Sequence, residues 1–268
     1  MPNALRLYLR YFGISIRGQM QYRASFLMLA LGGFLAGAME IVGIWALFDR
    51  FGSLRGWRLA EVALFFGLIN IALAVGDAFA RGFDVFARMI RSGDFDRLLL
   101  RPRSTALQVA GQELTLHRVG KVAQGLIVLL WAAAALHVQW TAARVLLAVL
   151  AVLGGVCLFY GLWVLQATLA FWTIESLEIM NALTYGGCET GQFPITIYRP
   201  WFRRFFTFVV PLACVTYFPA LAILGRDDAV LGSPAWFRFA APLVGAVFLL
   251  AALRVWRFGV RHYRSTGS

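Results

Sequence analysis

Long apolar runs dominate this sequence and restrict what the chain can fold into. Hydrophobic residues make up 60% of the 268 residues, and the mean hydropathy is +0.73. A helix needs about 20 apolar residues to cross the hydrocarbon core of a bilayer. Several runs approach or reach that length, which is far from the composition of a soluble domain. The sequence therefore predicts an all-α integral membrane protein, whose plainest spans are 26–48, 59–80, 119–136, 143–173 and 236–255.

Basic residues outnumber acidic ones and occupy the gaps between the apolar runs. The chain has 25 Lys and Arg against 13 Asp and Glu, which gives a formal net charge of +12. A nucleic-acid-binding domain would gather such cations on one face, whereas cytoplasmic loops of membrane proteins are enriched in them. The distribution excludes nucleic acid as a partner. It predicts a multi-pass protein in a lipid bilayer, with both termini and the segment 81–121 in the cytoplasm.

Residues 3–22 have the pattern of an amphipathic helix that lies in the membrane interface. Apolar residues recur at helical spacing, and Arg6, Arg10 and Arg17 share a neighbouring face. Such a helix buries its apolar stripe at the level of the headgroups and turns its arginines toward the lipid phosphates.

The densest block of charge, residues 91–103, separates the second and third apolar runs. Asp94 can cap a helix by accepting bonds from backbone N–H groups, and Asp96 complements the positive end of that helix. Pro102 ends the helix, because proline has no N–H and disfavours helical backbone in the residue before it. The pattern predicts a short cytoplasmic helix between two membrane spans.

This predicted helix, 92–101, carries an apolar face made of Phe95, Leu98 and Leu99. Two interpretations are open at this point. The segment is either a solvated connector, as charge runs usually are, or a docking site for another protein. In the second case Phe95 and Arg97 would carry most of the docking energy, since aromatic residues and arginines dominate interfaces.

Two arrangements are compatible with the residues after the fourth run. In the first, a long cytoplasmic loop precedes a fifth span at 205–224, and the distribution of Lys and Arg favours it. In the second, 176–192 form a short polar span and 200–224 form a hairpin that dips into the membrane from outside. Pro211 and Pro219 favour the second arrangement, because a broken hairpin accommodates them with fewer lost hydrogen bonds.

Four segments carry a more specific signal: Gln21-Tyr22-Arg23-Ala24; Gly93 to Pro102; Phe193-Pro194-Ile195 through Pro200-Trp201 and Phe208 to Pro219-Ala220; and Arg257-Phe258-Gly259 with His262-Tyr263 and Ser265-Thr266-Gly267. Together they resemble the permease subunits of ABC transporters of the ABC-2 type, in the bacterial branch called ABC-2 family transporter protein. The resemblance covers nearly the whole chain.

The resemblance implies six transmembrane helices, with an N-terminal interfacial helix, a coupling helix at 92–101 and a re-entrant hairpin at 200–224. It thereby selects the second arrangement. It implies a non-catalytic subunit of an ATP-driven exporter in the bacterial cytoplasmic (inner) membrane, forming half of the translocation pathway. The implied partners are two copies of an ABC ATPase, which bind ATP and Mg²⁺, and a second permease subunit, identical or paralogous. The residues implied to contact the ATPase are Ser92, Gly93, Asp94, Phe95, Asp96, Arg97, Leu98, Leu99 and Arg101.

The sequence itself carries no motif for catalysis, for a cofactor or for a metal. Its one Gly-Lys pair, Gly120-Lys121, lacks the other residues of a phosphate-binding loop, and H-E-x-x-H and G-x-S-x-G are missing. The cysteines Cys157, Cys188 and Cys214 have no ligand spacing. ATP hydrolysis is therefore expected in a separate subunit.

Four glutamates fall in or near the apolar runs, where carboxylates are costly and mark either a polar pathway or an ion pair. Glu175 and Glu178 are three residues apart, on one face of a helix, and either pair with arginines at the headgroups or line a pathway. An alternative function, an ion- or proton-coupled secondary transporter or channel, would use Glu40, Glu175 and Glu178. A path of aromatic and acidic residues would suit a lipophilic or cationic small molecule. The pathway candidates are Glu40, Glu175, Glu178 and Glu189.

Overall fold

The computed structural model describes residues 2–173, 177–228 and 230–263, and this part of the chain contains helices and loops but no β-strand. Two short 3₁₀ turns, Leu116–Arg118 and Ile195–Ile197, and one π-helical segment, Phe205–Val209, interrupt the α-helices. The α-helices are α1 Pro2–Gln21, α2 Arg23–Phe51, α3 Leu59–Asp84, α4 Phe86–Arg91, α5 Asp94–Leu99, α6 Thr105–Ala110, α7 Val119–Ala135, α8 Ala142–Leu169, α9 Leu177–Gly191, α10 Pro200–Arg204, α11 Leu212–Val215, α12 Tyr217–Leu224, α13 Ala235–Ala240 and α14 Leu243–His262.

Five helices in the described part are long and apolar enough to cross a membrane: α2, α3 with α4, α7 with the turn before it, α8, and α14. A sixth is added if the helical pair 200–209 and 212–224, which is bent by 72°, counts as one span. The chain is thus an all-helical, multi-pass membrane protein. α9 has 15 residues, which is about 22 Å of helix and shorter than the ~30 Å hydrocarbon core. The span predicted at 176–192 corresponds to this helix, and its crossing stays a prediction.

The bounds of two long helices differ from those expected. The range 236–255 is divided, because α13 ends at Ala240 and α14 begins only after Pro242. Proline cannot donate a backbone hydrogen bond to the preceding turn, so the helix breaks there. α14 then continues to His262, well past position 255. At the other bound, α8 ends at Leu169 rather than at position 173.

α3 forms the centre of the helix bundle, between α7 and α8. In its most apolar stretch 83% of the residues are buried, against 11% for α2. Glycines allow the close approaches: Gly67 on α3 lies against Leu129 of α7, and a β-carbon on Gly245 of α14 would overlap the carbonyl oxygen of Gly154 on α8. Small residues at such crossings are typical of membrane helices, since association there depends on close van der Waals packing.

The segment 200–224 begins and ends at the loop between α2 and α3. Just before the segment, Thr196 accepts a hydrogen bond from the Trp57 indole N–H at 3.0 Å. Just after it, the Arg226 guanidinium lies 2.7 Å from a carboxylate oxygen of Glu61 and 4.5 Å from the centroid of the Trp57 ring.

The bend of the same segment lies at a different depth. Val215 of α11 packs near Gly155 on α8, which also contacts Ala72 of α3. Ala72 is thirteen residues into α3, about 20 Å along the helix from its first residue. The segment therefore leaves the α2–α3 loop, reaches the middle of α3 and returns to that loop.

α1 packs beneath the opposite end of α3. The ring of Phe12 stacks on that of Phe79, with centroids 6.0 Å apart. The Gln19 side chain donates to the carbonyl of Leu114 at 2.6 Å and accepts from the N–H of Leu116 at 3.0 Å. These contacts attach α1 to the connection between α6 and α7.

Candidate functional sites

The turn from α4 into α5 depends on one glycine. Gly93 has φ +70° and precedes the first residue of α5, a left-handed conformation that costs glycine least. Asp94 is therefore the first residue of the helix and not its cap, which corrects the expectation from the sequence. Its carboxylate accepts a hydrogen bond from the Ser92 hydroxyl at 2.5 Å and pairs with Arg97.

The apolar face predicted for docking points into the protein. Phe95 is 0% exposed and Leu98 is 4% exposed. The expectation that Phe95 contacts a partner directly is therefore wrong, because its side chain is covered by the chain's own residues. The ring of Phe95 lies 5.0 Å from that of Phe86 and 5.1 Å from that of Tyr263, both edge to face.

These rings belong to a larger group that we call the aromatic cluster. Phe171 follows α8 and lies 5.5 Å from Phe95. Trp256 of α14 lies 4.9 Å from Phe86. Edge-to-face pairs of this kind each contribute about 0.5–1.5 kcal/mol beyond the area they bury. α5 is thus attached to the ends of two long helices by the aromatic cluster, which consists of Phe86, Phe95, Phe171, Trp256 and Tyr263.

Polar contacts hold the same segment from two sides. The buried side chain of Gln108 on α6 donates to the carbonyls of Leu98 and Arg103, each at 3.2 Å. Tyr263 lies beside Asp96, and burial together with this carboxylate raises the pKa of the Tyr263 phenol. α5 and the loop after it are thereby held between α6 and the end of α14.

The outward side of α5 and of the two residues after it carries two arginines, Arg97 and Arg101, and an apolar tip. The Arg97 side chain is 77% exposed. Leu99 is 39% exposed and Leu100 is 85% exposed. Arg101 is also exposed. Of the residues predicted to contact an ATPase, Ser92, Arg97, Leu99 and Arg101 are thus accessible. Gly93, Asp94 and Asp96 are partly exposed. Leu100 was missed from the sequence because the predicted helix continued to 101 with its apolar face at Phe95, Leu98 and Leu99, whereas α5 ends at Leu99.

Glu40, the carboxylate predicted inside the first span, lies at the junction of α2, α7 and the end of α9. A Glu40 oxygen lies 4.0 Å from the Lys121 amine, and the Gln192 side chain donates to Glu40 at 3.5 Å. Glu189 is exposed on α9. The structure thus brings Glu40 to within contact of α7 and the end of α9, and gives it a cationic partner.

Two of the pathway candidates cannot be placed. Glu175 and the side chain of Glu178 lie outside the part of the chain that the structure describes. Among the described residues, no group of three or more His, Cys, Asp or Glu side chains is arranged to hold a metal ion.

An ion pair that sequence spacing did not indicate joins α3 to the start of α7. Asp77, whose side chain is 4% exposed, lies 2.5 Å from the Arg118 guanidinium. Arg81, four residues after Asp77, pairs instead with Asp84 and with Glu113. The pairing of Asp77 with Arg118 required the chain to fold back over forty residues, so no local pattern could have revealed it.

A multi-pass helical bundle with an exposed short segment at one end and a carboxylate inside a candidate membrane span is typical of one class of protein, the membrane-embedded transport components. Comparison with known families identifies the particular one. A family model described as ABC-2 family transporter protein matches residues 34–267. The chain belongs to that family, which confirms the resemblance seen in the sequence, and it is a membrane permease of an ABC transporter. The matched range contains three of the four segments, and Gln21 to Ala24 lies before it. No curated protein and no solved structure matches the chain.

Proposed function

We propose that the chain is the non-catalytic permease subunit of an ATP-driven ABC-2 exporter and that α5 is its coupling helix, seated on an ABC ATPase. The observation that carries the proposal is the division of α5 into two faces. One face is exposed and, together with the two residues that follow the helix, makes Arg97, Leu100 and Arg101 available to a partner. The other is buried in the aromatic cluster.

This division suits the transmission of force. A short helix moves a membrane domain only if it is attached to it rigidly, and close-packed side chains transmit displacement rather than absorb it. Phe95 contacts Phe171 at the end of α8, and Tyr263 at the end of α14. When ATP binding or hydrolysis shifts the ATPase, α5 would therefore carry α8 and α14 with it. ATP and Mg²⁺ belong to the partner subunit in this arrangement.

The surface carboxylates support a pathway shared by two permease subunits. Glu189 is exposed on α9, next to Cys188, whose thiol lies 3.9 Å from the Asn70 amide oxygen near the middle of α3. An ionised carboxylate at that depth is costly against lipid. A second permease, identical or paralogous, would cover this face and enclose a polar path with Glu40 and Glu189 on its wall. Such a path suits a cationic or lipophilic small molecule, and a complete transporter would hold two permeases and two ATPases.

Two further features support the orientation and the hairpin. The end of α14 with Arg257 and Arg261, α5 and α1 all lie at the same end of the bundle, as expected for the cytoplasmic side of a bacterial inner membrane. The residues that flank segment 200–224, Thr196 and Arg226, both contact the α2–α3 loop, whereas the ends of a single crossing would be about 30 Å apart. We therefore retain the re-entrant hairpin and assign the fifth crossing to α9.

The test is recovery of the ATPase with the permease. Full-length permease is affinity-purified from membranes together with its ATPase, and the ratio of the two subunits is measured by quantitative mass spectrometry. Arg97→Glu and Leu100→Asp should each reduce recovery about 30-fold, the effect of losing an interface hot spot. Their melting temperatures should not change, because both side chains are exposed. Arg144→Ala, at the opposite end of the bundle, is the control and should behave as wild type.

Two outcomes would contradict the proposal. If Arg97→Glu and Leu100→Asp both retain the ATPase, α5 is a solvated connector. If purified permease transports an ion in liposomes without any ATPase, the chain is a secondary transporter or channel instead.

A further inference from the structure

A wide apolar groove lies between the first limb of segment 200–224 and the beginning of α14. Its volume is about 690 Å³, within the range of small-molecule sites. Phe208 and Pro211 line one side, and Trp236 and Val247 line the other. Phe208, Trp236 and Val247 are each more than 60% exposed, so the groove opens to the outside of the bundle. It lies near the start of α14, whereas α5 contacts the other end of that helix.

Two buried hydroxyls without a hydrogen-bond partner lie among these apolar residues, those of Thr207 and Ser233, and Thr207 belongs to the first limb of the segment. Thr207 is 7% exposed and lines the groove, and its hydroxyl has no hydrogen-bond partner among the described residues. An unsatisfied buried hydroxyl is costly and calls for an explanation. Thr207 belongs to the π-helical segment Phe205–Val209, and such segments occur frequently at functional sites. A ligand in the groove would supply the missing partner.

Two arginines lie one turn before the groove. Arg203 and Arg204 precede Thr207 and Phe208 by four residues, a spacing that places each pair on one helical face. Neither guanidinium forms an ion pair or hydrogen bond with another side chain in the described part of the chain. The charge of Arg203 acts on Tyr217, which donates to Asp228 at 3.2 Å, whereas Arg204 has no charged partner in the described part of the chain. Two cationic groups therefore lie within one helical turn of residues that line an apolar groove.

We propose that this groove binds one anionic phospholipid of the outer leaflet. An acyl chain would lie against Phe208 and Val247, the phosphate would contact Arg203 and Arg204, and the Thr207 hydroxyl would donate to a glycerol ester oxygen. The charge selects this occupant over a second copy of the chain, since a two-fold interface here would bring the same arginines together. The inference rests on the orientation given under the proposed function, in which this end of α14 is outside.

Native mass spectrometry of the detergent-purified, full-length permease tests the proposal. The protein is titrated with phosphatidylglycerol and with phosphatidylcholine of identical acyl chains. Wild type should retain one phosphatidylglycerol about 25-fold more tightly than phosphatidylcholine, since a basic residue near an anionic lipid contributes about 5-fold. The double variant Arg203→Gln, Arg204→Gln should lose this preference and keep acyl-chain binding. The matched double variant Arg50→Gln, Arg144→Gln, which removes two arginines at the same end of the bundle, should retain the preference.

Two further variants test the groove itself. Ala251→Trp should fill it and weaken binding of both lipids more than 10-fold. Thr207→Val, which keeps the shape of the side chain, should weaken binding of both about 5-fold. If Ala251→Trp does not fold, the double variant Arg203→Gln, Arg204→Gln and the variant Thr207→Val still test whether the groove binds the lipid.

Equal binding of the two lipids by wild type, or a preference that survives removal of Arg203 and Arg204, would overturn the proposal. So would a lipid-free dimer that Ala251→Trp dissociates, because a second copy would then occupy the groove. Recovery of the ATPase is measured on the same preparations. A failed lipid site leaves that recovery unchanged, whereas a failure of the proposed function abolishes its dependence on α5.

Discussion

Replacing Phe95 with alanine should detach α5 from the membrane helices while leaving its exposed face unchanged. The ring is completely buried and contacts those of Phe86, Phe171 and Tyr263. Truncating a buried phenylalanine costs about 3–5 kcal/mol, from lost transfer energy and from the cavity left behind. α5 has six residues, too few to be stable without packing. We therefore expect α5 to open locally while the rest of the bundle stays folded.

The magnitude can be measured by hydrogen exchange. A loss of about 3 kcal/mol raises the open population roughly 100-fold, so amides of α5 should exchange about 100-fold faster in Phe95→Ala. Amides in the middle of α3 should keep their wild-type rates. ATPase recovery should fall with the loss of protection in α5. Arg97→Ala should lower recovery without changing exchange, and Phe95→Leu, which retains most of the volume, should be intermediate in both.

Two results would refute this reasoning. If Phe95→Ala exchanges at the wild-type rate and still loses the ATPase, Phe95 contacts the partner directly and its burial is not the cause. If the variant exchanges faster and retains full recovery and transport, the aromatic cluster does not carry coupling.

Three further predictions concern the membrane bundle and its outer loops. Asp77→Asn should lower the stability of the fold by about 3 kcal/mol, because it leaves Arg118 without its buried counter-ion. A thermal-shift assay should show a lower melting temperature that adding Arg118→Gln partly restores, and an unchanged melting temperature would argue against the ion pair. Cysteines introduced as Arg203→Cys and Asp227→Cys should both react with an impermeant maleimide added from outside; labelling at position 203 only from the cytoplasmic side would show a crossing span instead of the hairpin. Burial favours the neutral form of Asp228, but hydrogen bonds from the N–H groups of the loop that follows outweigh it and lower the pKa of this carboxyl. Its stabilisation is therefore present above the ordinary pKa of about 4 and is lost as the pH falls through the lowered value. Asp228→Asn should lower the free energy of unfolding by about 1 kcal/mol or more at pH 7. Denaturation curves should show the stabilities of variant and wild type converging at the lowest pH, and a difference that does not depend on pH would contradict the stabilising role of the ionised Asp228.

Features that depend on neighbouring residues were predictable from the sequence. Apolar runs of about 20 residues identify membrane helices, because the bilayer imposes that length on any helix that crosses it. The run Gly93 to Pro102 identified the position of a short helix, since glycine and proline act on their own backbone. Four segments resembling the family were enough to name it, and the family model confirms that identification.

The helical pattern did not determine which side of α5 faces inward. Phe95, Leu98 and Leu99 have the spacing of an apolar face, and that spacing is the same for a docking surface and for a buried one. The structure distinguishes them through rings that lie far away in the sequence, at Phe171 and Tyr263. Membership of a buried cluster depends on residues that only the fold brings together.

The sequence by itself determined the membrane class, the family and the location of α5, because each depends on local composition or on a short motif. Only the tertiary structure decided the partner of Asp77, the depth reached by segment 200–224 and the groove beside Thr207. Arg118 is forty-one residues from Asp77, and Trp57 meets both Thr196 and Arg226. Contacts of that kind arise when separate helices pack, so no window along the chain contains them.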